Sequence, residues 1–91
     1  MVLEREVERV FARRVRALGG VSFKLAPTHA GLPDRLVVLP GHPPLLVELK
    51  TDDGALRPAQ RVLFARLAAL GTTVRVVRGA AEARGFTFSG R

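Results

Sequence analysis

Two charged residues interrupt an apolar run that otherwise has the pattern of a buried strand. Residues 45–50 read LLVELK, and Glu48 and Lys50 lie two apart, where the side-chain period of a strand places both on the same face. Burying a charge costs free energy unless the charge is paired or bound to a metal ion. The pair therefore indicates either a reaction site on this face or a structural ion pair near the end of the strand.

A third charged residue, Asp34, precedes a second apolar run, LVVL, at residues 36–39. The short PGHPP segment at residues 40–44 predicts that these two strands are antiparallel neighbours. Asp34 and Glu48 would then lie near the same edge of the sheet, and two carboxylates there suit a hard cation such as Mg²⁺. The alternative is that Asp34 only shapes the turn after Pro33.

Two further polar residues stand in apolar stripes of predicted helices. Glu8 and Gln60 are each followed by apolar residues at i+3, i+4 and i+7, which places them on the buried side of a helix. Both have ordinary alternatives as well. Gln60 could be a solvated residue of a first turn, and Glu8 could favour the helix dipole as an acidic residue near a helix start.

The elements that position these residues follow from periodicity and turn signals. The pattern predicts helices over 3–18 and 58–70, strands over 21–26, 36–39, 45–50 and 72–77, and one helical turn with an extended tail after residue 79. The crossover helix makes the last two strands parallel. The sequence therefore predicts one α/β domain over residues 1–91, with the order αβββαβ and a mixed four-stranded sheet flanked by helices.

Composition and charge narrow the function further. Without cysteine, disulfides, thiolate metal sites and a cysteine nucleophile are excluded, and a reducing, cytoplasmic setting is expected. The chain has 15 Lys+Arg against 8 Asp+Glu, a net charge of +7, which favours a polyanionic partner such as nucleic acid. A solvated arginine-rich surface is the alternative. No charged-then-apolar leader and no apolar run of about 20 residues is visible, so no membrane partner is expected.

Three motifs together resemble the VRR-NUC family of PD-(D/E)XK nucleases. They are GLPDR at 31–35, VELK at 47–50 and GALRPAQ at 54–60, within a likeness that runs from about Glu4 to Val77. The resemblance implies a restriction-endonuclease-like core. Within the family, the chain resembles the stand-alone, phage-type members. These are similar to Holliday-junction resolvases and act as homodimers on branched DNA.

The resemblance also implies roles for the polar residues. Asp34 and Glu48 would be metal ligands, with the carbonyl of Leu49 completing the shell. Lys50 would be the catalytic lysine, and Gln60 the glutamine of the helix that follows.

The family has a glutamate on its first helix, and Glu8 is the better match, with Glu4 as the competitor. One departure is Arg57, where members often carry a small hydroxylated residue that caps the second helix. An arginine cannot cap with an oxygen, so that helix start is in doubt.

The resulting expectation is a Mg²⁺-dependent endonuclease, with Mn²⁺ able to substitute, that cleaves branched DNA as a homodimer. The DNA backbone would be held by basic residues around the site: Lys24, Arg35, Arg57 and Arg61. The cluster Arg13, Arg14 and Arg16 is either a solvated helix face or a set of phosphate contacts. The rival functions are a non-catalytic nucleic-acid-binding module and a nicking or end-processing nuclease on flapped or linear DNA.

Overall fold

Four strands form one mixed sheet in the computed structural model, which describes residues 4–88. In chain order and in spatial order these are β1 (Val21–Lys24), β2 (Arg35–Val38), β3 (Leu45–Lys50) and β4 (Val74–Arg78). The first two neighbouring pairs are antiparallel and β3 pairs with β4 in parallel. The predicted α/β class, the mixed four-stranded sheet and its pairing are confirmed.

Three helices accompany the sheet: α1 (Glu4–Ala17), α2 (Pro58–Ala69) and α3 (Gly79–Arg84). The αβββαβ order is as predicted, with α3 in place of a single helical turn. Packing explains this helix, because Ala83 and Phe86 are buried in the core beside α1. The other differences are small: β1 ends two residues early, and β4 begins at Val74. The predicted first helix starts at residue 3 and the predicted tail runs to residue 91, and both of these ends lie outside the described residues.

The hydrophobic core lies between one face of the sheet and the helices α1 and α3. From α1, Val7, Phe11 and Val15 are fully buried at the spacing of one helix face. They meet the side chains of β3 that alternate onto this face, Val47 and Leu49. Each such side chain contributes about 1.5–3 kcal/mol by leaving water.

The same alternation directs Glu48 and Lys50 to the opposite face of β3. The first turn of α2 lies on this side, because the side chain of Gln60 contacts that of Glu48. The helix covers little of β1 and β2, however, and Val21, Phe23 and Val38 are between 40% and 53% exposed. Within residues 4–88, no helix has both the length and the apolar character that a membrane span requires.

Candidate active site

Glu48 is a buried carboxylate held by three different groups. It is 4% exposed, and its Oε1 accepts the backbone N–H of Asp34 at 3.2 Å. Its Oε2 accepts the side-chain N–H of Gln60 at 2.8 Å and lies 3.3 Å from Nζ of Lys50. The strand that carries Glu48 thus brings it to the end of β2, as the predicted hairpin required.

Asp34 directs its carboxylate at the backbone of β3. Its two oxygens lie 3.3 and 3.4 Å from the N–H of Leu49, which donates to them. Together with the N–H of Asp34 bonded to Glu48, this forms a reciprocal pair of contacts between the two strands. The side chains of Asp34 and Glu48 are therefore fixed beside each other.

The pKa of Asp34 is raised to about 7, chiefly by burial and secondly by the nearby charge of Glu48. The N–H of Leu49 and the charge of Arg35 act in the opposite direction. Two neighbouring carboxylates in a partly buried position therefore leave negative charge that is only partly compensated by the protein. A divalent cation would relieve it.

Gln60 joins the site to the start of α2. Its Oε1 accepts the backbone N–H of Arg57 at 3.0 Å while its amide nitrogen donates to Glu48. These two contacts fix which end of the amide faces the carboxylate. Arg57 makes no capping contact of its own, as the sequence indicated, and Gln60 secures the helix start in its place.

Glu8 reaches the site from α1 and is paired with basic residues. Its Oε1 lies 3.2 Å from the guanidinium of Arg35 and 3.7 Å from the ammonium of Lys24. It is also near enough to Asp34 to raise that residue's pKa. The competitor Glu4 lines the same cavity but is exposed. Both glutamates therefore lie at the cavity, and the assignment of Glu8 as the first-helix glutamate of the site stays a prediction.

These groups surround a cavity of about 450 Å³ at the end of the sheet. Its polar lining comes from Glu4, Arg5, Glu8, Lys24, Asp34, Glu48, Arg57 and Gln60. Lys50 belongs to the site through Glu48, with its side chain 12% exposed.

The sequence pattern did not identify Arg5 as a residue of the site, although its spacing of three from Glu8 places the two side chains near each other on a helix. The sequence also missed the role of Gly31. This residue has φ +86° and approaches the carbonyl of Ala59 in α2 so closely that a Cβ would lie 2.4 Å from that oxygen.

The residues predicted to hold DNA fall into two groups. Lys24, Arg57 and Arg61 are exposed around the cavity or beside it on α2. Arg35 is 8% exposed, and its guanidinium contacts Glu8. This position suits a residue that holds Glu8 in place, and DNA contact by Arg35 stays a prediction.

The donor set of the cavity suits a hard cation. Among residues 4–88, no group of three or more His, Cys, Asp or Glu side chains is arranged to hold a metal ion. The carboxylates of Asp34 and Glu48 are the adjacent pair. Mg²⁺ commonly binds through one or two carboxylates and keeps water or substrate phosphate in its other positions, so this pair fits such an ion.

Comparison with known proteins identifies the family. No family model matches the chain. A protein from Acyrthosiphon pisum secondary endosymbiont phage 1, named "Putative nuclease p44", is 37% identical over 78 residues, which cover 85% of this chain and 84% of that protein.

Two solved structures are similar as well. One, described as a VRR_NUC domain, has a TM-score of 0.80 and 31% identity and covers 90% of both chains. Another, a VRR_NUC domain protein, has a TM-score of 0.71 over 93% of this chain and 84% of its own; at 20% identity it supports the fold alone. The sequence motifs, the arrangement of the acidic pair and these likenesses agree, and the chain belongs to the VRR-NUC family.

Proposed function

We propose that the protein is a metal-dependent endonuclease that hydrolyses phosphodiester bonds of DNA and prefers branched DNA such as four-way junctions. The single observation that carries the proposal is the meeting of Asp34, Glu48, Lys50 and Gln60 at the end of β3. Membership of a nuclease family and the net charge of +7 support it.

In this proposal Asp34 and Glu48 hold Mg²⁺, or Mn²⁺ in its place, and the Leu49 carbonyl and Glu8 remain predicted contributors. Bound there, the ion would lower the pKa of a water molecule and neutralise negative charge that develops on the phosphate. The chain's own contribution is the fixed position of the two carboxylates, since each is tied to the other strand by a backbone hydrogen bond.

Lys50 and Gln60 complete the arrangement. The ammonium of Lys50 lies 3.3 Å from Glu48 and is a hydrogen-bond donor only, so it is suited to orient a water molecule or to stabilise a phosphate oxygen. Gln60 donates to the same oxygen of Glu48, Oε2, that lies beside Lys50, and this contact keeps the carboxylate of Glu48 from turning. The exposed Lys24, Arg57 and Arg61 would hold the DNA backbone without reading bases.

A change of Glu48 to Gln tests the catalytic role directly. The amide keeps the size of the side chain but removes one of the two charges that would hold the cation. We expect cleavage of a four-way junction with Mg²⁺ to fall on the order of 100-fold or more, as for loss of a central electrostatic group. The matched control is Glu82→Gln, at an exposed glutamate on α3. Undiminished cleavage by a folded Glu48→Gln protein would refute the role.

Two rival functions make different predictions. A non-catalytic nucleic-acid-binding module gains nothing from carboxylates that face a polyanion, so the buried acidic pair weighs against it. DNA binding that depends on metal, without any cleavage, would support that rival. A nicking or end-processing nuclease shares the chemistry, and a panel of linear, flapped, splayed and four-way DNA with Mg²⁺ or Mn²⁺ separates it from junction cleavage.

The proposal includes a homodimer. The face of the sheet that carries Glu48 also carries Val21, Phe23 and Val38, which are largely uncovered. A second copy would bury this uncharged surface, and a two-fold axis would present two sites to opposite strands of a branched substrate.

A further inference from the structure

Four arginines form a row along the outer side of α1. Arg5, Arg9, Arg13 and Arg16 follow one another at spacings of four, four and three, so they lie within an arc of roughly 80° around the helix axis. The buried residues Val7, Phe11 and Val15 lie on the opposite side. All four arginines are exposed. We call them the α1 arginine row.

The α1 arginine row is not neutralised within the described part of the chain. The ion pairs among residues 4–88 involve Glu8 or Glu48, and no arginine of the row takes part in them. The acidic residues of α1 are Glu4, Glu6 and Glu8, all in its first five residues. Like charges at i, i+4 disfavour a helix, so the row weakens α1 unless a polyanion contacts it.

The row begins at the candidate active site. Arg5 lines the site cavity together with Glu8. Arg13 lines a second hollow of about 270 Å³ between α1 and α3, where Arg14 and Arg84 add further positive charge. The row therefore connects the site to a second basic surface.

We propose that the α1 arginine row binds the phosphate backbone of the double-stranded DNA that leads away from the scissile bond. The inference rests on the proposed function for the position of that bond and adds the path of the duplex. From Arg5 to Arg16 the row spans about 17 Å at 1.5 Å per residue. One strand of B-form DNA carries a phosphate about every 3.4 Å of helix axis, so the row matches about five base pairs.

The test measures binding of a fluorescein-labelled four-way junction by fluorescence anisotropy in EDTA, at several salt concentrations. Each phosphate contact contributes about 0.9 to the slope of log affinity against log salt concentration. The double variant Arg9→Gln/Arg13→Gln is therefore expected to lower the slope by about two, and to weaken binding about tenfold or more at physiological salt. Arg66→Gln, at an exposed arginine on α2, is the matched control for the single variant Arg13→Gln.

The outcomes separate this inference from the proposed function. Because the substitutions remove repulsion within α1, thermal stability should stay equal or rise, and weaker binding cannot then come from unfolding. A lower slope in the double variant supports the row even if the unaltered protein cleaves nothing. An unchanged slope, or equal effects of Arg13→Gln and Arg66→Gln, overturns the row even if cleavage is observed. Absence of any DNA binding by the unaltered protein, in EDTA and in Mg²⁺ alike, overturns both.

Discussion

A single position of β3, Glu48, contacts three other residues of the candidate site. The pleat sends Val47 and Leu49 into the core and Glu48 to the other face, where Asp34, Gln60 and Lys50 all contact it. The sequence predicted this grouping because it depends on a period of two and on a short hairpin. Only the function of the group remains a proposal.

The pairing of Glu8 with Arg35 could not be predicted in the same way. It depends on how α1 crosses the end of β1 and β2, and no local pattern specifies that crossing. Arg35 alternates onto the core face beside Val47, so its burial follows from the register. The prediction that Arg35 contacts DNA is not tested by this burial and stays a prediction.

The raised pKa of Asp34 predicts a pH dependence of stability in the metal-free protein. Its pKa of about 7 in the folded state lies above its ordinary value of 3.8, so the folded state binds more protons between these values. The free energy of unfolding therefore falls as pH rises through this window. Asp34→Asn removes this titration. We therefore expect the melting temperature of Asp34→Asn minus that of the unaltered protein to increase between about pH 4 and about pH 8 in EDTA.

Thermal melts of both proteins across that range check this prediction, with Asp53→Asn as the control at an exposed aspartate. Added Mg²⁺ should raise the melting temperature of the unaltered protein at the upper end of the range more than that of Asp34→Asn. Parallel pH profiles of the two proteins would contradict the assignment.

At the scale of elements, the start of α2 decides whether the site is assembled. The side chain of Arg57 does not cap α2. The start of the helix is held instead by the side chain of Gln60, whose Oε1 accepts the backbone N–H of Arg57. The loop before β2 approaches this turn at Gly31. The sequence predicted both helix ends within a residue, because Pro58 and Gly71 mark them. It could not predict the contact of the loop with α2, which is a tertiary approach without a periodic signal.

α3 was underestimated for a related reason. Six residues are too few to form a stable helix by propensity alone. The segment is helical because Ala83 and Phe86 pack against α1, with the Phe11 and Phe86 rings edge to face at 4.9 Å between centroids.

Gly31→Ala should destabilise the protein more than Gly41→Ala. Both glycines have positive φ, and an alanine there costs about 1–2 kcal/mol. Only at Gly31 does the added Cβ also meet backbone, 2.4 Å from the carbonyl oxygen of Ala59, whereas nothing lies within 4 Å at Gly41.

We therefore expect a loss of about 2–4 kcal/mol in the free energy of unfolding for Gly31→Ala, measured by urea denaturation. Cleavage should fall as well, since Gln60 adjoins Ala59. Equal losses at the two positions would show that the loop does not press on α2.

At the scale of the whole molecule, the net charge and the uncovered sheet face suggest two kinds of partner. The charge of +7 indicates a polyanion, and the sequence alone was enough for that prediction. The sheet face could not be predicted, because Phe23 and Val21 have the pattern of ordinary buried strand residues. These two side chains are exposed because α2 lies near β4, at the opposite edge of the sheet from β1.

Phe23→Lys should convert the proposed dimer to a monomer. The ring is 53% exposed in the single chain, so a lysine there costs the monomer little, whereas two lysines facing each other at a two-fold interface would repel. Light scattering measures the mass of both forms. Leu70→Lys, at a 75% exposed leucine at the end of α2, is the control and should remain a dimer. An unaltered protein that is monomeric at high concentration contradicts the dimer.

The hairpin between β2 and β3 has a consequence for finding relatives of this chain by their motifs. A residue added to the turn at 40–44 lengthens the interval between Asp34 and Glu48 but leaves the pairing of Leu36 with Leu46 intact. A residue added between Glu48 and Lys50 would instead place these two charged side chains on opposite faces of β3, so that one of them would point into the hydrophobic core. Searches should therefore let the distance between the aspartate and the glutamate vary, while holding the single residue between glutamate and lysine constant.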